Sequence, residues 1–305
     1  MGEPVIEARD LTKRYGATVG LEGLDLAVER GEVFGFLGPN GSGKTTTIRL
    51  LLDLIRPTRG TARLFGRPAA DPDARRRVGH LPGDLVLDGR LTGLETLRFL
   101  SSLQGRTPPA ASAMRGQELA DLLGLTEKDL GRRVREYSRG MRQKLGLVAA
   151  FQHRPDVLIL DEPTTGLDPL VREVVFDLLQ QAGRDGRTVF HSSHVLSEVE
   201  RTCTRVGILR SGRLVSVART DELRRASVRR MVVRFARPVP TEEFAIPGVE
   251  VMEHDGARVV LKVSASLDPL LRVLSRHPVE HLAFPEPSLE EAFVELYREP
   301  EEDRP

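Results

Sequence analysis

The stretch EVFGFLGPNGSGKTT, residues 32–46, constrains the fold of this chain more than any other part of it. A short apolar run leads into a glycine-rich loop, and the apolar sequence IRLLLDLI follows. This order predicts a strand, a phosphate-binding loop and a helix, the context that G-x-x-x-x-G-K-[ST] requires; a chance match in a glycine-rich turn is the alternative. Backbone N–H groups would surround phosphates, Lys44 would add positive charge and Thr45 would bind Mg²⁺. The predicted loop residues are Gly38, Pro39, Asn40, Gly41, Ser42, Gly43, Lys44, Thr45 and Thr46.

Two adjacent acids end a second apolar run. Residues 157–160 are apolar, and Asp161 and Glu162 follow directly. Carboxylates at the mouth of a buried strand need a positive partner, and Mg²⁺ beside bound phosphates is such a partner. We then expect Asp161 to orient the water shell of the metal and Glu162 to polarise an attacking water. A turn that carries two solvated acids is the alternative.

Strand-like and helix-like segments alternate over residues 1–220. This alternation predicts an α/β protein, a P-loop NTPase core with a parallel sheet, joined to an antiparallel β subdomain near the start. The pattern becomes helical from Leu85 to His153, where Thr92 and Glu95 have the spacing of a capping box. We therefore predict a helical subdomain at about residues 86–153, inserted into the core.

The pattern changes near residue 220. The segment TDELRRASVRR is typical of a charged linker helix, and VEVMEHDGARVVLKV predicts a hairpin that turns at Asp-Gly. Asp268 and Pro269 begin a further predicted helix, and Ser288 and Glu291 form the capping box of another. Residues 221–305 are therefore predicted to be a small α+β domain, which contains no catalytic constellation.

Composition narrows the functional classes. The single cysteine, Cys203, excludes an internal disulfide and a cysteine-cluster metal site, and indicates a reduced, cytoplasmic setting. The 45 basic and 44 acidic residues leave a net charge of +1, so no global field attracts nucleic acid or acidic membrane. No run approaches the ~18 apolar residues of a membrane span and no signal peptide is evident, so we do not expect this chain to enter the bilayer by itself.

The stretch YSRGMRQK, residues 137–144, predicts a second anion-binding helix start. Ser138 is a good N-cap, Gly140 permits close approach to the backbone, and apolar residues then recur at helical spacing. The N–H groups and the positive dipole end of such a helix suit an anion.

Taken in their order, these motifs resemble those of ABC transporter ATPases, over residues from about 4 to 220. YSRGM stands where the family signature, typically Leu-Ser-Gly-Gly-Gln, is found, and LILDEP contains the paired acids. TTGLDP resembles the D-loop and places Asp168 in it, while SSH places His194 at the family's switch histidine. Tyr15, in KRYG, stands where the family stacks an aromatic ring on adenine. Without the resemblance, Tyr15 is typical of a half-buried strand, His194 of a strand end and Asp168 of a helix cap.

The resemblance implies ATP and Mg²⁺ as cofactors and a head-to-tail dimer of two ATPase subunits, with an identical second chain expected. ATP held by the phosphate loop of one chain would be closed over by Ser138, Arg139, Gly140 and Asp168 of the other. His194 would contact the γ-phosphate. The resemblance further implies a separate transmembrane permease, contacted through residues 81–91 and neighbouring helices, and thus a position at the cytoplasmic face of the membrane.

Two features depart from the family pattern. The signature has Tyr137, Arg139 and Met141 in place of Leu, Gly and Gln. Gly83 stands where a Q-loop glutamine would bind Mg²⁺ and sense the permease. Glycine has no side chain, so Asp84 or a water molecule is the candidate replacement.

Within the family, GLDP, EEAFVELY and the α+β tail resemble exporters of drugs, antibiotics or lipids. The first alternative is a soluble ABC-type ATPase that acts on nucleic acid or ribosomes. The absence of sustained heptads between phosphate loop and signature, the single phosphate loop and the near-neutral charge disfavour it. The second alternative, a nucleotide-dependent regulator without hydrolysis, is disfavoured by Glu162 and His194. The C-terminal domain would stabilise the dimer, contact the permease, gate activity or serve packing alone.

Overall fold

The computed structural model describes residues 4–104, 109–222, 229–264 and 266–284. Its chain separates into two compact units, Met1–Arg219 and Thr220–Pro305. The predicted helix with Ser288 and Glu291 lies outside the described residues, as does most of the predicted linker helix. Within the described residues, no helix is both long and apolar enough to cross a bilayer.

The first unit has ten strands among its described residues. These are β1 (Ile6–Tyr15), β2 (Thr18–Val28), β3 (Val33–Leu37), β4 (Arg59–Leu64), β5 (Arg67–Pro68), β6 (Val78–Leu81), β7 (Val157–Asp161), β8 (Thr188–Ser193), β9 (Arg205–Arg210) and β10 (Arg213–Arg219). The helices are α1 (Lys44–Leu51), α2 (Pro72–Arg75), α3 (Gly93–Gln104), α4 (Pro109–Leu122), α5 (Glu127–Leu130), α6 (Arg139–Phe151), α7 (Pro169–Arg184) and α8 (Leu196–Thr202), with a 3₁₀ turn at Val134–Glu136.

A six-stranded sheet forms the centre of this unit, in the order β10-β9-β3-β8-β7-β6. Strands β9, β3, β8, β7 and β6 pair in parallel, and β10 pairs with β9 in antiparallel fashion. Every residue of β3, β7 and β8 is buried. Burial on both faces explains the apolar runs of β3 and β7, whereas β8 ends with the polar residues His191, Ser192 and Ser193. The predicted parallel α/β core is confirmed.

A second sheet, in the order β2-β1-β4-β5, is antiparallel throughout. Its inward residues Ile6 and Leu24 belong to the same buried cluster as Phe34 of β3 and Ile48 of α1. The two sheets therefore share one apolar core, and the loop between β3 and α1 lies at its edge. The predicted antiparallel β subdomain is confirmed.

Helices α3, α4 and α6 pack together as the predicted helical insertion. The capping box at the start of α3 is present: the Thr92 N–H donates to Glu95 Oε2 at 2.8 Å, and the Glu95 N–H donates to Thr92 Oγ1 at 3.2 Å. These two bonds satisfy helix-terminal N–H groups, so the beginning of α3 follows from local sequence.

The second unit is an α+β fold. Its described strands are β11 (Arg229–Phe235), β12 (Val249–Asp255), β13 (Arg258–Val263) and β14 (Val279–Ala283), in the antiparallel order β12-β13-β11-β14. Helix α9 (Asp268–Leu274) begins at the predicted Asp-Pro, and β12 and β13 form the predicted hairpin. Leu270 of α9 lies in one buried cluster with Phe235 and Leu261.

Replacement of Phe190 by alanine tests the shared core. Phe190 is fully buried between Phe34 and Phe36, at ring-centroid distances of 5.8 and 5.3 Å. We expect Phe190→Ala to lower the free energy of unfolding of the first unit by about 3–5 kcal/mol, through lost burial and a residual cavity. Phe99→Ala on α3 is the matched control, since this ring is 54% exposed. Equal effects of the two substitutions in denaturant unfolding would contradict this packing.

We expect the stability of the first unit to depend on pH through His191 of β8. Its Nε2 lies 3.0 Å from both Thr202 Oγ1 and Cys203 Sγ, and burial lowers the pKa of His191 from 6.5 to about 4. Between these values the unfolded chain binds more protons, so the stabilisation is complete above pH 6.5 and is lost as the pH falls towards 4.

We expect this loss to reach about 3 kcal/mol for a pKa shift of this size. The measurement is the free energy of unfolding at a series of pH values, for the wild type and for His191→Asn. The variant should show a shallower dependence below pH 6.5, because Asn does not titrate. Identical slopes for the two proteins would show that His191 is not the responsible group.

Candidate nucleotide-binding site

The predicted phosphate loop joins β3 to α1. Gly43, directly before the helix, has a φ of 107°, and a Cβ there would lie 2.6 Å from the Gly20 carbonyl oxygen. Glycine is therefore required at this position by both conformation and space. In the described chain no side chain caps the start of α1, and its first turn has no acidic residue. Its free N–H groups and positive dipole end are suited to phosphate.

A cleft of about 910 Å³ lies beside this loop. It is lined by residues that are far apart in the sequence. They include Tyr15, Asn40, Gly41, Gly43, Lys44, Thr45, Thr46, Gly83, Asp84, Arg139, Asp161 and Glu162. Its volume is within the range of small-molecule sites. Other predicted residues are not among the described residues that line it, namely Gly38, Pro39, Ser42, Ser138, Gly140, Asp168 and His194.

Lys44 is buried, and its ammonium group faces both the loop and the paired acids. Its Nζ donates to the carbonyl oxygens of Gly38 at 2.7 Å and Pro39 at 3.1 Å. It also lies 3.4 Å from Glu162 Oε1. This positive charge is thus held between the phosphate loop and the end of β7.

The predicted metal ligands Thr45 and Asp161 are in direct contact. Thr45 Oγ1 donates to Asp161 Oδ2 at 2.6 Å, although the two residues belong to α1 and β7. Mg²⁺ prefers hard oxygen ligands, and a hydroxyl and a carboxylate side by side supply them. These two residues therefore fit the metal. A Cβ on Gly83 would lie 2.8 Å from the same Asp161 oxygen, so a side chain at that position would require Asp161 to shift.

Glu162 and His194 are also brought together. His194 Nδ1 lies 2.8 Å from Glu162 Oε2, and Thr165 Oγ1 donates to that oxygen at 3.1 Å. Glu162 has a φ of 49°, a left-handed conformation that is costly for residues other than glycine, asparagine or aspartate. Its carboxylate is thus held at the cleft by contacts and by an unusual backbone.

Two residues that the sequence analysis missed support this arrangement. Ser192 is fully buried in β8; its hydroxyl donates to Asp161 Oδ1 at 2.5 Å and accepts the Glu162 N–H at 2.9 Å. Gln143 of α6 donates to the carbonyl oxygens of Glu162 and Pro163 at 3.2 and 3.1 Å. The sequence signals that could have indicated these two roles were a serine inside a buried strand and a glutamine on the apolar side of a helix.

The predicted N-cap of α6 is present, since Ser138 Oγ accepts the Met141 N–H at 3.2 Å. Gly140 has a close neighbour within the chain: a Cβ there would lie 3.0 Å from the Gly166 carbonyl oxygen. Arg139 lies near Gly166, since a Cβ built on that glycine would be 3.7 Å from the arginine side chain, and Arg139 also lines the cleft of its own chain. A larger residue at the signature glycine would therefore be tightly packed inside its own chain, besides any contact with a second one.

The remaining predicted residues have the following places. Tyr15 ends β1 with 48% of its surface exposed, lines the cleft and lies under Lys13 Nζ, 5.2 Å from the ring centroid. Asp168 caps α7, where its Oδ1 accepts the Val171 N–H at 3.0 Å. Asp84 Oδ2 lies 3.3 Å from Arg49 Nη2 in an exposed ion pair.

Comparisons with known proteins agree with this geometry. The family model described as ABC transporter matches residues 21–165. The daunorubicin/doxorubicin resistance ATP-binding protein DrrA of Streptomyces peucetius is 36% identical over 312 residues, which cover 98% of this chain and 94% of that protein. The uncharacterized ABC transporter ATP-binding protein all4389 of Nostoc sp. is 41% identical over 227 residues, 72% of this chain and 68% of that protein.

Solved structures show the same likeness. A structure titled as the ATP binding subunit of an ABC transporter has a TM-score of 0.67 and 34% identity, and the match covers 72% of this chain and 92% of that one. The dimeric bacterial cassette MJ0796 has a TM-score of 0.65 at 24% identity, over 70% of this chain and 98% of that one, and thus shows the fold. This chain therefore belongs to the family of ABC transporter ATP-binding proteins, which are ATPases of the phosphate-loop class.

Proposed function

We propose that two copies of this chain bind Mg-ATP between the phosphate loop of one copy and the signature helix of the other, and that hydrolysis drives a separate transmembrane permease. The observation that carries this proposal is the contact of Glu162 with both Lys44 and His194, next to the Thr45–Asp161 pair. A carboxylate, a lysine and a histidine converge beside an uncapped helix start, and this set suits the attack of water on a phosphate.

Binding of ATP is assigned to the loop from Gly38 to Thr46. Its backbone N–H groups and Lys44 bind the β- and γ-phosphates, since the helix start and the lysine both favour negative charge. The exposed ring of Tyr15, at the rim of the same cleft, supports a stacking contact with adenine.

Thr45 and Asp161 are the proposed holders of Mg²⁺, with Asp84 as a further oxygen donor. When bound, the metal neutralises charge on the phosphate oxygens. The 2.6 Å contact of Thr45 with Asp161 supports a shared role. Burial of Asp161 and its bond to Ser192 keep its carboxylate oriented towards the phosphate loop.

Glu162 is the proposed general base. A carboxylate at the cleft can accept a proton from the attacking water, and the contact with His194 orients it. His194 is proposed to contact the γ-phosphate as well. The left-handed backbone at Glu162, held by Ser192 and Gln143, restricts the carboxylate to this place.

A second copy is proposed to complete the site with Ser138, Arg139, Gly140 and Asp168. Ser138 and Asp168 cap α6 and α7, so each precedes a helix start whose dipole favours an anion. The likeness in fold to a dimeric cassette also supports the second copy. ATP would then hold the two copies together, and hydrolysis would release them.

The relatives support export. DrrA of Streptomyces peucetius is named for daunorubicin/doxorubicin resistance, and BcrA of Enterococcus faecalis for bacitracin transport. We therefore propose that the permease exports drugs, antibiotics or lipids, and that this chain is held by it at the cytoplasmic face of the membrane. Contact is proposed through residues 81–91, where Val86 is 88% exposed. No nucleic-acid partner is proposed.

Replacement of Glu162 by glutamine separates a hydrolase from a nucleotide-dependent regulator. We expect Glu162→Gln to lower ATP hydrolysis by about 100-fold or more, because the general base is lost while the shape is kept. ATP should still bind and should now accumulate a dimer, measured by size-exclusion chromatography with light scattering, whereas ADP should not. Glu118→Gln, an exposed acid on α4, is the matched control and should match the wild type.

Hydrolysis that persists in Glu162→Gln, or the absence of an ATP-dependent dimer, would contradict the proposed roles. An ATP-dependent dimer in a wild-type chain that never hydrolyses ATP would favour the regulator.

Replacement of Asp84 by alanine tests the altered Q-loop. We expect the Mg²⁺ concentration for half-maximal ATP hydrolysis to rise by about 10-fold, because one oxygen donor near the metal is removed. Asp88→Ala is the control, since Asp88 pairs with Arg90 and is another exposed acid of the same segment. If Mg²⁺ dependence and permease-coupled hydrolysis are both unchanged in Asp84→Ala, the replacement of the Q-loop glutamine by Asp84 is wrong.

A further inference from the structure

Tyr137, the residue before the signature serine, is buried in the helical subdomain. Only 3% of its surface is exposed, and its hydroxyl donates to the carbonyl oxygen of Asp129 in α5 at 2.7 Å. Burial raises the pKa of Tyr137, so the phenol stays protonated and remains a donor. The side chain therefore connects the start of the signature helix to α5.

Gly93, the first residue of α3, provides the space for this hydroxyl. A Cβ built on Gly93 would overlap Tyr137 Oη, and it would lie 3.2 Å from Tyr137 Cζ and 3.3 Å from Leu130 Cα. Gly93 does not have a positive φ, and glycine is among the least favourable residues in a helix. The backbone thus does not require glycine at this position, whereas the tyrosine hydroxyl does.

The backbone of Tyr137 is also hydrogen-bonded. Its carbonyl oxygen accepts a bond from Arg142 Nη1 at 2.7 Å, one turn into α6. Ser138 follows directly, and its own hydroxyl caps α6 through the Met141 N–H. Tyr137, the residue directly before Ser138, is thus hydrogen-bonded through its side chain to α5 and through its carbonyl oxygen to α6.

We propose that Tyr137 is a positioning residue for Ser138, and that Gly93 is the matching residue that admits its hydroxyl. The proposal rests on the proposed function, in which Ser138 closes over ATP held by a second copy. Because the overlapping atom is the far end of the tyrosine side chain, a methyl group at Gly93 displaces Tyr137, and Ser138 moves with it. The phosphate loop lies elsewhere in the unit and keeps its structure.

The experiment is a double-mutant cycle in the Glu162→Gln background. The protein concentration for half-maximal ATP-dependent dimerisation is measured for Gly93→Ala, Tyr137→Phe and the pair. We expect Tyr137→Phe to raise it about 5-fold, the usual scale of one lost hydrogen bond. Gly93→Ala should raise it more, by at least about 10-fold, as an overpacked site does. The pair should recover most of that loss, because the overlap with the hydroxyl is gone and only the contacts of 3.2 and 3.3 Å with the ring Cζ and Leu130 Cα remain.

The affinity of the single chain for Mg-ADP distinguishes positioning from general destabilisation. A variant that only damaged the fold would lose Mg-ADP binding as well, whereas a positioning defect affects dimerisation alone. The affinity should stay within about 2-fold of the parent in all three variants, since neither Gly93 nor Tyr137 is among the described residues that line the cleft beside the phosphate loop. Gly131→Ala is the matched control in the same subdomain, where a Cβ would lie no closer than 3.5 Å to its neighbours. Its dimerisation should equal that of the parent.

Three outcomes would overturn the proposal: dimerisation of Gly93→Ala equal to the parent, no recovery in the pair, or loss of Mg-ADP binding together with dimerisation. If Gly93→Ala does not fold, Tyr137→Phe alone carries the test, and unchanged dimerisation overturns it. Failure of the proposed function is distinct from all of these, because the Glu162→Gln parent itself would then form no dimer with ATP.

Discussion

The buried carboxylate of Asp161 is the interaction on which the rest of the site depends. A charge at the end of a buried strand is costly unless hydrogen bonds satisfy it, and Asp161 receives one from Thr45 of α1 and one from Ser192 of β8. These two bonds connect the phosphate loop to the central sheet. They also place Glu162, the next residue, because the Ser192 hydroxyl accepts its N–H.

The backbone of Glu162 shows how the fold serves this constraint. Its left-handed conformation costs free energy on the order of 1–3 kcal/mol and needs support from its surroundings. Ser192 binds its N–H and Gln143 binds its carbonyl oxygen. Gln143 belongs to α6 of the helical subdomain, so the helix that begins at Ser138 is bonded directly to the backbone of the paired acids. The two anion-binding regions are thus parts of one connected structure.

Much of the fold could be predicted because its determinants are local. The capping box of Thr92 and Glu95 and the N-cap Ser138 are satisfied within a few residues, and the alternation of apolar segments predicts a parallel sheet. The turn from the phosphate loop into α1 likewise depends on a local feature, the positive φ of Gly43. The roles of Ser192 and Gln143 could not be predicted, because their partners lie 31 and 19 residues away.

The sequence by itself determined the phosphate loop, the paired acids, the order of strands and helices and the likeness to ABC transporter ATPases, since each is written in short contiguous patterns. Only the tertiary structure decided which distant groups meet: His194 with Glu162, Thr45 with Asp161, and the Tyr137 hydroxyl in the space left by Gly93. The physical reason is that hydrogen bonds and van der Waals overlap act over a few ångströms, and chain folding alone creates those distances.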